Sequence, residues 1–111
     1  MAVPDLNKAE FPMKLHKKKG FKDPATIDGT GIAAGNKVKA VGTQGNKPTV
    51  WEGTIKQKNP DGTWAVDNLA VKFEEKRGKD PEKGTEDVSV TVTNADGESQ
   101  PVIAKDVPVI P

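Results

Sequence analysis

The chain has 111 residues and no cysteine, with 33% apolar and 30% charged residues and a formal net charge of +1. This length suits one small domain, and the absence of cysteine excludes disulfides, thiolate nucleophiles and the commonest structural zinc sites. The 11 glycines and 9 prolines make long helices improbable, because proline removes a backbone donor and glycine costs entropy in a helix.

The small net charge conceals an uneven distribution along the chain. Residues 1–58 contain 11 lysines and 5 acidic residues, hence +6, whereas residues 59–111 contain 6 basic and 11 acidic residues, hence −5. This asymmetry is typical of a basic tail attached to a near-neutral or acidic domain. It predicts either that the N-terminal part contacts an acidic surface or that both parts are simply solvated, and the two interpretations have equal weight.

Residues 1–35 show little hydrophobic periodicity and are interrupted by Pro4, Pro12, Gly20 and Pro24. They are predicted to form an extended basic arm, followed by a β-domain over residues 36–111. Apolar anchors and cations are interspersed in the arm, as in a peptide laid across a partner. The candidate partner-binding residues are Phe11, Met13, Lys14, Leu15, Lys17, Lys18, Lys19 and Phe21.

From residue 36 onward the pattern changes to short strands separated by turns. Strands are predicted over residues 37–41, 49–57 and 63–73, with Trp51 and Ile55 on one face of the second. The sequence Asn-Pro-Asp-Gly at 59–62 predicts the turn of a hairpin, and Asn68 predicts a bulge or bend.

The last third of the chain contains the strongest strand signal. Residues 74–85 are rich in charge and are predicted to form an exposed loop. Val88, Val90 and Val92 then alternate with polar residues over 86–93, which indicates a half-buried strand. A turn at 94–97 returns the chain as a partner strand over 98–103, and Val107 to Ile110 is predicted to be a final edge strand, because proline is tolerated at sheet edges.

Five or six short strands with regular turn signals predict an all-β sandwich or small barrel. The segment 87–99, Asp-Val-Ser-Val-Thr-Val-Thr-Asn-Ala-Asp-Gly-Glu-Ser, resembles the last hairpin of immunoglobulin-like β-sandwich modules of the IPT/TIG type. Such modules occur in bacterial cell-surface and phage virion proteins. The resemblance implies a small Ig-like β-sandwich, which here would carry the extended N-terminal arm.

A second resemblance gives an alternative fold. Segments 35–41, 50–55 and 62–66 are similar to the opening strands of Tudor-like and other SH3-like barrels. This resemblance implies a module that binds nucleic acid or an acidic peptide. Trp51 and Trp64 could then form part of an aromatic cage, but a position of both tryptophans in the core is the favoured interpretation. The surface implied for this alternative consists of Lys37, Lys39, Trp51, Lys56 and Lys58.

Catalytic and metal chemistry find little support in the sequence. His16 is the single histidine, and in an extended arm it would have no framework to hold it in catalytic geometry. Asn59, Asp61, Asn94 and Asp96 lack the spacing of a calcium loop and are interpreted as turn formers. The chain is therefore expected not to be an enzyme and to use neither a metal nor a cofactor.

The expected function is that of a non-catalytic structural or interaction protein. The residues from Lys8 to Lys22 include six lysines and no arginine, which favours diffuse electrostatic attraction over sequence-specific readout of nucleic acid. The leading hypothesis is a capsid decoration (cement) or head–tail accessory protein of a phage or virus, anchored by its arm to capsid or tail subunits, with homo-oligomerisation left open. The expected location is the virion, or otherwise the cytoplasm, because neither a signal peptide nor a membrane segment is apparent.

Overall fold

The computed structural model describes residues 2–17, 20–44, 47–74 and 85–110, and the regular elements in these ranges are all β-strands. The all-β prediction is confirmed, and the described residues contain no helix long and apolar enough to cross a bilayer. The strands are β1 Asp5–Glu10, β2 Leu15–His16, β3 Asp23–Thr30, β4 Lys37–Gln44, β5 Lys47–Lys58, β6 Trp64–Glu74, β7 Thr85–Asn94, β8 Gly97–Glu98 and β9 Val102–Ile110.

The strands form one continuous sheet in the order β1-β3-β6-β5-β4-β7-β9-β2, with β8 paired to β7. All pairings are antiparallel except that of β2 with β9, which is parallel. The first two strands of the chain thus lie at opposite ends of the sheet. The chain runs from one end of the sheet to the other between β1 and β2, and it returns before β3.

This connectivity requires the sheet to curl. Five residue steps lead from Glu10 at the end of β1 to Leu15 at the start of β2, and a chain of that length reaches at most about 18 Å. In a flat sheet, the seven spacings between these strands would separate them by about 34 Å. The two ends of the sheet therefore come together, and β1 packs against β9.

The core lies inside the curled sheet and is built by the alternation that the sequence predicts. Val88, Val90 and Val92 of β7 are buried, and so are Trp51 and Ile55 of β5. Burying each such side chain stabilises the fold by about 1.5–3 kcal/mol relative to leaving it exposed. The remaining buried apolar residues are Ala9, Leu15, Ala25, Ile27, Ile32, Val38, Ala40, Val66, Leu69, Ala104, Val107 and Val109.

The predicted turn and bulge of the β5–β6 hairpin are both confirmed. The backbone amide of Gly62 donates to the carbonyl of Asn59, and the amide of Asn59 donates to the carbonyl of Thr63. Gly62 has a φ of 93°, which glycine adopts without a steric penalty. Asn68 has a φ of 62° at a place where the register between β5 and β6 shifts. Asparagine tolerates this left-handed conformation better than most residues do.

The last hairpin is confirmed with two corrections. The turn at 94–97 joins β7 to β8, but the partner strand is interrupted at Ser99, which instead bonds Val92 through both its backbone and its hydroxyl. The predicted final edge strand is not a separate element, since Val107 to Ile110 are the end of the continuous strand β9. Leu15 and His16 pair with this end, so β9 is not the edge of the sheet there.

The prediction that residues 1–35 form an arm outside the domain is wrong. β1 pairs with β3, and β3 pairs with β6 of the central sheet. Ala9, Leu15, Ala25 and Ile27 are buried in the same core as the valines of β7. These isolated apolar residues therefore complete one core together with the apolar residues of the later strands. The predicted loop over 74–85 falls mainly on residues 75–84, which lie outside the described residues.

Candidate interaction surface

The crossover segment, residues 11–22, joins β1 to β3 through β2 and carries the predicted partner-binding residues. Two of them are exposed, Met13 by 63% and Phe21 by 44%, and Lys14 is exposed beside them. Phe11 is half-buried against the core, whereas Leu15 and Lys17 are buried. Lys18 and Lys19 lie outside the described residues. The structure therefore leaves Met13, Lys14 and Phe21 available to a partner and removes Leu15 and Lys17 from that role.

Lys17 is buried because it forms an ion pair with Glu86 at the start of β7. Its Nζ lies 2.5 Å from the Glu86 Oε2, and the two residues are only 8% and 4% exposed. The backbone amide of Lys17 also donates to the carbonyl of Ile110 in β9. A buried ammonium is costly unless a carboxylate compensates it, so this pair fixes the crossover segment to the sheet.

A glycine in β4 makes room for this ion pair. A Cβ atom at Gly42 would lie 2.7 Å from the Glu86 Oε1, closer than real Cβ contacts, and 3.0 Å from the Trp51 Cζ3, tighter than most of them. The carboxylate and the indole ring thus occupy the space that a side chain at position 42 would fill. The Glu86 carboxylate and the Trp51 ring, the largest side chain of the core, therefore both lie next to Gly42.

His16 is held by contacts on several sides. Its Nδ1 lies 2.9 Å from the Asp23 Oδ1, and its backbone amide donates to the Asp23 Oδ2 at 2.9 Å. Its ring stacks on Phe21 with the centroids 4.1 Å apart and the planes 5° from parallel. The Trp51 Nε1 donates to the carbonyl of His16 at 2.8 Å. The prediction that His16 has no framework is therefore wrong.

The Asp23 carboxylate orients the His16 ring, as carboxylates do for histidines in many functional sites. Here the same carboxylate also accepts a hydrogen bond from the backbone amide of His16. Asp23 is buried and uses one oxygen on the ring and the other on the main chain. The described residues contain no group of three or more His, Asp or Glu side chains arranged to hold a metal ion. The Phe21 ring stacks on the His16 ring that is held in this way, and Phe21 is partly exposed to solvent.

Sequence reasoning missed Asp23 and Glu86, which together hold the crossover segment. Asp23 stands between Lys22 and Pro24, and Glu86 stands at the end of a charged stretch, so each reads as an ordinary surface carboxylate. One signal was available for Glu86. It occupies the same alternation as Val88, Val90 and Val92, and so falls on the buried face of β7.

A cleft of about 590 Å³ lies where the two ends of the sheet meet. Its walls are the end of β1 with the adjoining Phe11 and Pro12, and the stretch of β9 from Ile103 to Pro108. β1 and β9 form no ladder with each other among the described pairings. Ile103, one of the residues that line the cleft, is 52% exposed although it is a large apolar residue.

The far end of the junction between the sheet ends is closed by Asn94. Its Nδ2 donates to the carbonyls of Ala2 and Gly31, at 2.9 and 3.0 Å, and thereby links β7 to the segments that flank β1 and β3. Its Oδ1 accepts a bond from the amide of Asp96. The prediction that Asn94 and Asp96 are turn formers is consistent with these bonds. The two ends of the sheet are thus joined by hydrogen bonds near Asn94 and separated by the cleft near Phe11.

The surface implied by the SH3-like resemblance does not contain the tryptophan assigned to it. Trp51 is fully buried and cannot stack on a ligand, so the core position is confirmed and the cage role is wrong. Trp64 is half-buried, and the Lys58 Nζ lies 5.7 Å from the centroid of its ring. Lys37 and Lys39 line a shallow outer groove of about 350 Å³ together with Glu52 and Glu98, so cations and anions alternate there.

Comparison with known proteins returned no match of the chain to a family model, to a curated protein or to a solved structure.

Proposed function

We propose that this protein is a non-catalytic structural or interaction protein, and that it serves as a capsid decoration or head–tail accessory protein of a phage or virus particle. Its partner is a capsid or tail subunit. The proposal retains the function expected from the sequence and changes the way in which the protein attaches. Attachment uses a surface of the folded domain, since the N-terminal residues are part of the sheet.

The observation that carries the proposal is the exposure of Met13 and Phe21 beside residues 15–17, whose backbone is bonded to the sheet. The buried Lys17–Glu86 pair and the bonds of His16 hold these residues in place, and the Phe21 ring stacks on the His16 ring. A large apolar side chain on a fixed backbone loses little conformational entropy when it binds, and so contributes efficiently to affinity. Exposed aromatic and methionine side chains are also typical of the centres of protein interfaces.

The charges around these two residues suit an acidic partner surface. Lys14 and Lys22 are exposed next to Met13 and Phe21, respectively. Exposed lysines raise the rate of association with an acidic surface and orient the encounter, while the apolar residues supply the affinity. The Ig-like resemblance of residues 87–99 supports the assignment of the partner to a phage or virus particle.

The test is incorporation into particles produced without the wild-type protein and supplied with variants of it. Met13→Ser together with Phe21→Ser is expected to reduce the copies per particle, counted by quantitative mass spectrometry, at least tenfold. Val3→Ser is the matched control, because Val3 is 42% exposed and lies near Gly97, outside the crossover segment. Undiminished incorporation of the double variant, or an equal loss with Val3→Ser, would overturn the proposal.

Deletion of residues 1–22 is not a suitable test of this attachment. It removes β1 and β2 and takes Ala9 and Leu15 out of the core, so the remaining chain is expected to unfold. Point substitutions at exposed positions leave the core intact. A circular dichroism spectrum of each variant, matching that of the wild type, shows that the comparison is made between folded proteins.

A further inference from the structure

We propose that the attachment surface formed by Met13, Lys14 and Phe21 responds to pH through His16. Protonation of His16 holds the Phe21 ring more firmly and adds a positive charge to the crossover segment, so that attachment to an acidic partner strengthens in mildly acidic solution. This inference rests on the proposed function for the use of the surface. The coupling of His16 to Phe21 is a property of the isolated chain, so the two are tested separately.

The His16 ring contacts a buried carboxylate at its edge and an exposed aromatic ring on its face. Its Nδ1 lies 2.9 Å from the Asp23 Oδ1, and Asp23 is 5% exposed. The Phe21 ring is stacked on it with the centroids 4.1 Å apart and the planes 5° from parallel, and Phe21 is 44% exposed. A change of charge on His16 therefore acts directly on a side chain that the proposed partner would contact.

Protonation changes the charge of the ring without breaking its bond to Asp23. An ionised carboxylate only accepts hydrogen bonds, so Nδ1 of His16 carries a hydrogen in the neutral ring as well as in the charged ring. The proton that creates the charge is consequently added to Nε2. The His16 side chain is 24% exposed, so water can deliver this proton. Histidine is the side chain that ordinarily changes its charge between about pH 5 and about pH 8.

The charged ring binds both of its neighbours more strongly than the neutral ring does. The bond to Asp23 becomes charge-assisted, and such bonds are shorter and stronger than neutral ones. The imidazolium also attracts the face of the Phe21 ring, as other cations do when they lie over an aromatic face. At an exposed site this attraction corresponds to a factor of about two to five in the ratio of stacked to unstacked Phe21. A ring that is already held in place loses less entropy when a partner binds it.

Among the described contacts, the elements packed against His16 present one charged group to its ring. Asp23, the first residue of β3, supplies the carboxylate. β5 contacts His16 through the indole of Trp51, whose Nε1 donates to the backbone carbonyl, and β9 pairs with it at Ile110. Neither Trp51 nor Ile110 has a charged side chain. The ring thus gains its charge beside a buried anion.

The other charges of the crossover segment determine the effect on a partner. The buried Lys17–Glu86 pair is neutral as a whole, and its two charges are bonded to each other. Lys14 and Lys22 are exposed, and protonated His16 joins these cations in the same segment. An added cation raises the rate of association with an acidic surface and orients the encounter. Firmer stacking of Phe21 and the added charge therefore act in the same direction.

The coupling is tested by NMR on the isolated full chain with a neutral, soluble gadolinium chelate, which relaxes protons according to their exposure. From about pH 8 to about pH 5.5, as His16 becomes charged, relaxation of the Phe21 ring protons by the chelate is expected to fall about twofold. The nuclear Overhauser effect between the His16 and Phe21 rings is expected to increase. The ring of Trp64, which is half-buried and lies outside the crossover segment, is the internal control and is expected to stay constant.

His16→Asn is the matched variant, because its amide can donate to Asp23 but has neither a titrating group nor a ring. The backbone bonds of residue 16 to Asp23 and Trp51 do not involve the ring, so the variant is expected to fold, which circular dichroism verifies. His16→Gln, which also lacks a titrating ring, takes its place if it unfolds. Exposure of Phe21 is expected to be independent of pH in either variant. The coupling is overturned if this exposure stays constant or rises on acidification of the wild type, or if it falls equally in the variant.

The particle assay tests the consequence for attachment. With the protein supplied below saturation, wild-type copies per particle are expected to rise about two- to fivefold from about pH 8 to about pH 5.5, and those of His16→Asn to stay constant. Equal wild-type copies at both pH values, with loss of the Met13 and Phe21 double variant, would overturn the regulation and leave the proposed function standing. Normal incorporation of the double variant would overturn the proposed function, while the NMR result would still decide the coupling of His16 to Phe21.

Discussion

The central strands β4 to β7 and the crossover segment are held in the same fold by different means. In the central strands buried apolar side chains recur at alternate positions, and burial of valines such as Val88 and Val90 accompanies a continuous hydrogen-bond ladder. In the described part of the crossover segment, Leu15 is the one fully buried large apolar residue and Phe11 packs partly against the core, while a buried ion pair and single hydrogen bonds fix the rest. Repetition stabilises the first region, whereas individually placed polar contacts stabilise the second.

The difference determines how each region responds to substitution. A ladder distributes its stability over many similar contacts, so each residue can lose a methyl group at moderate cost. A segment fixed by one buried ion pair depends on both members, because removal of one leaves an uncompensated charge in the core. Single substitutions at Glu86 or Lys17 should therefore distinguish the two modes most clearly.

The largest effect is expected for Glu86→Ala. The substitution leaves the buried ammonium of Lys17, which is 8% exposed, without its carboxylate partner. Loss of one partner of a buried ion pair costs about 3–5 kcal/mol. The free energy of unfolding, measured by urea denaturation, should fall by that amount. Removing both charges, as in Lys17→Met with Glu86→Leu, should recover most of the loss, since an apolar pair of similar volume avoids the desolvation penalty.

The matched control for this cycle is Lys8→Met, which removes a lysine from the exposed pair with Glu10. The charged atoms of that pair are 3.6 Å apart, but both side chains are at least 60% exposed. Exposed pairs are usually worth less than about 1 kcal/mol, so the unfolding free energy should hardly change. If Glu86→Ala were as mild as Lys8→Met, the crossover segment would not depend on its buried pair.

A smaller effect is expected for Leu15→Ala. Leu15 is fully buried, and truncation of such a leucine costs about 2–5 kcal/mol through lost burial and the cavity left behind. Met13→Ala, two residues earlier and 63% exposed, should change stability by less than about 0.5 kcal/mol. Thermal or urea unfolding measures both. If Leu15→Ala and Met13→Ala both changed the free energy of unfolding by the same small amount, the segment would be an arm outside the domain and Leu15 would not belong to the core.

The same difference explains what the sequence could predict. Alternating apolar residues and turn residues act locally, so the strands containing Trp51 and Val90, the turn at 59–62 and the bulge at Asn68 were all predicted close to their observed places. The segment around Leu15 has no repeating pattern. Its position depends on partners about 70 and 90 residues away, Glu86 and Val109, and periodicity contains no information on such pairs.

The candidate site was predicted in part for a related reason. The sequence indicates Met13 and Phe21 as apolar residues among lysines, and the structure leaves the side chains of both exposed. Leu15 and Lys17 have the same local sequence context, yet they are buried. The sequence predicts only that apolar residues and lysines are interspersed in the segment. Which side chains point inward follows from the pairing of β2 with β9 and from the carboxylate of Glu86.

The smallest effect concerns the β5–β6 turn, where stability arises from local contacts. The Thr63 hydroxyl and amide both donate to the Asp61 Oδ1, at 2.6 and 2.9 Å, and the hydroxyl bond is the main reason why the pKa of this carboxyl is lowered from 3.8. A lowered pKa stabilises the folded state at pH above 3.8, and this contribution is lost as the pH falls through the folded-state pKa. Thr63→Val should therefore raise the pKa of Asp61 toward 3.8.

An NMR titration of the Asp61 carboxyl carbon measures this change directly. Thr63→Ser keeps the hydroxyl and should leave the pKa lowered, which separates loss of the bond from loss of the methyl group. Because Asp61 is exposed, the effect on unfolding should be confined to acidic pH and should be far smaller than that of Glu86→Ala. An unchanged pKa in Thr63→Val would mean that the backbone amide of Thr63 alone lowers the pKa of Asp61. The lowered pKa would then result from the backbone conformation of the turn and not from its side chains.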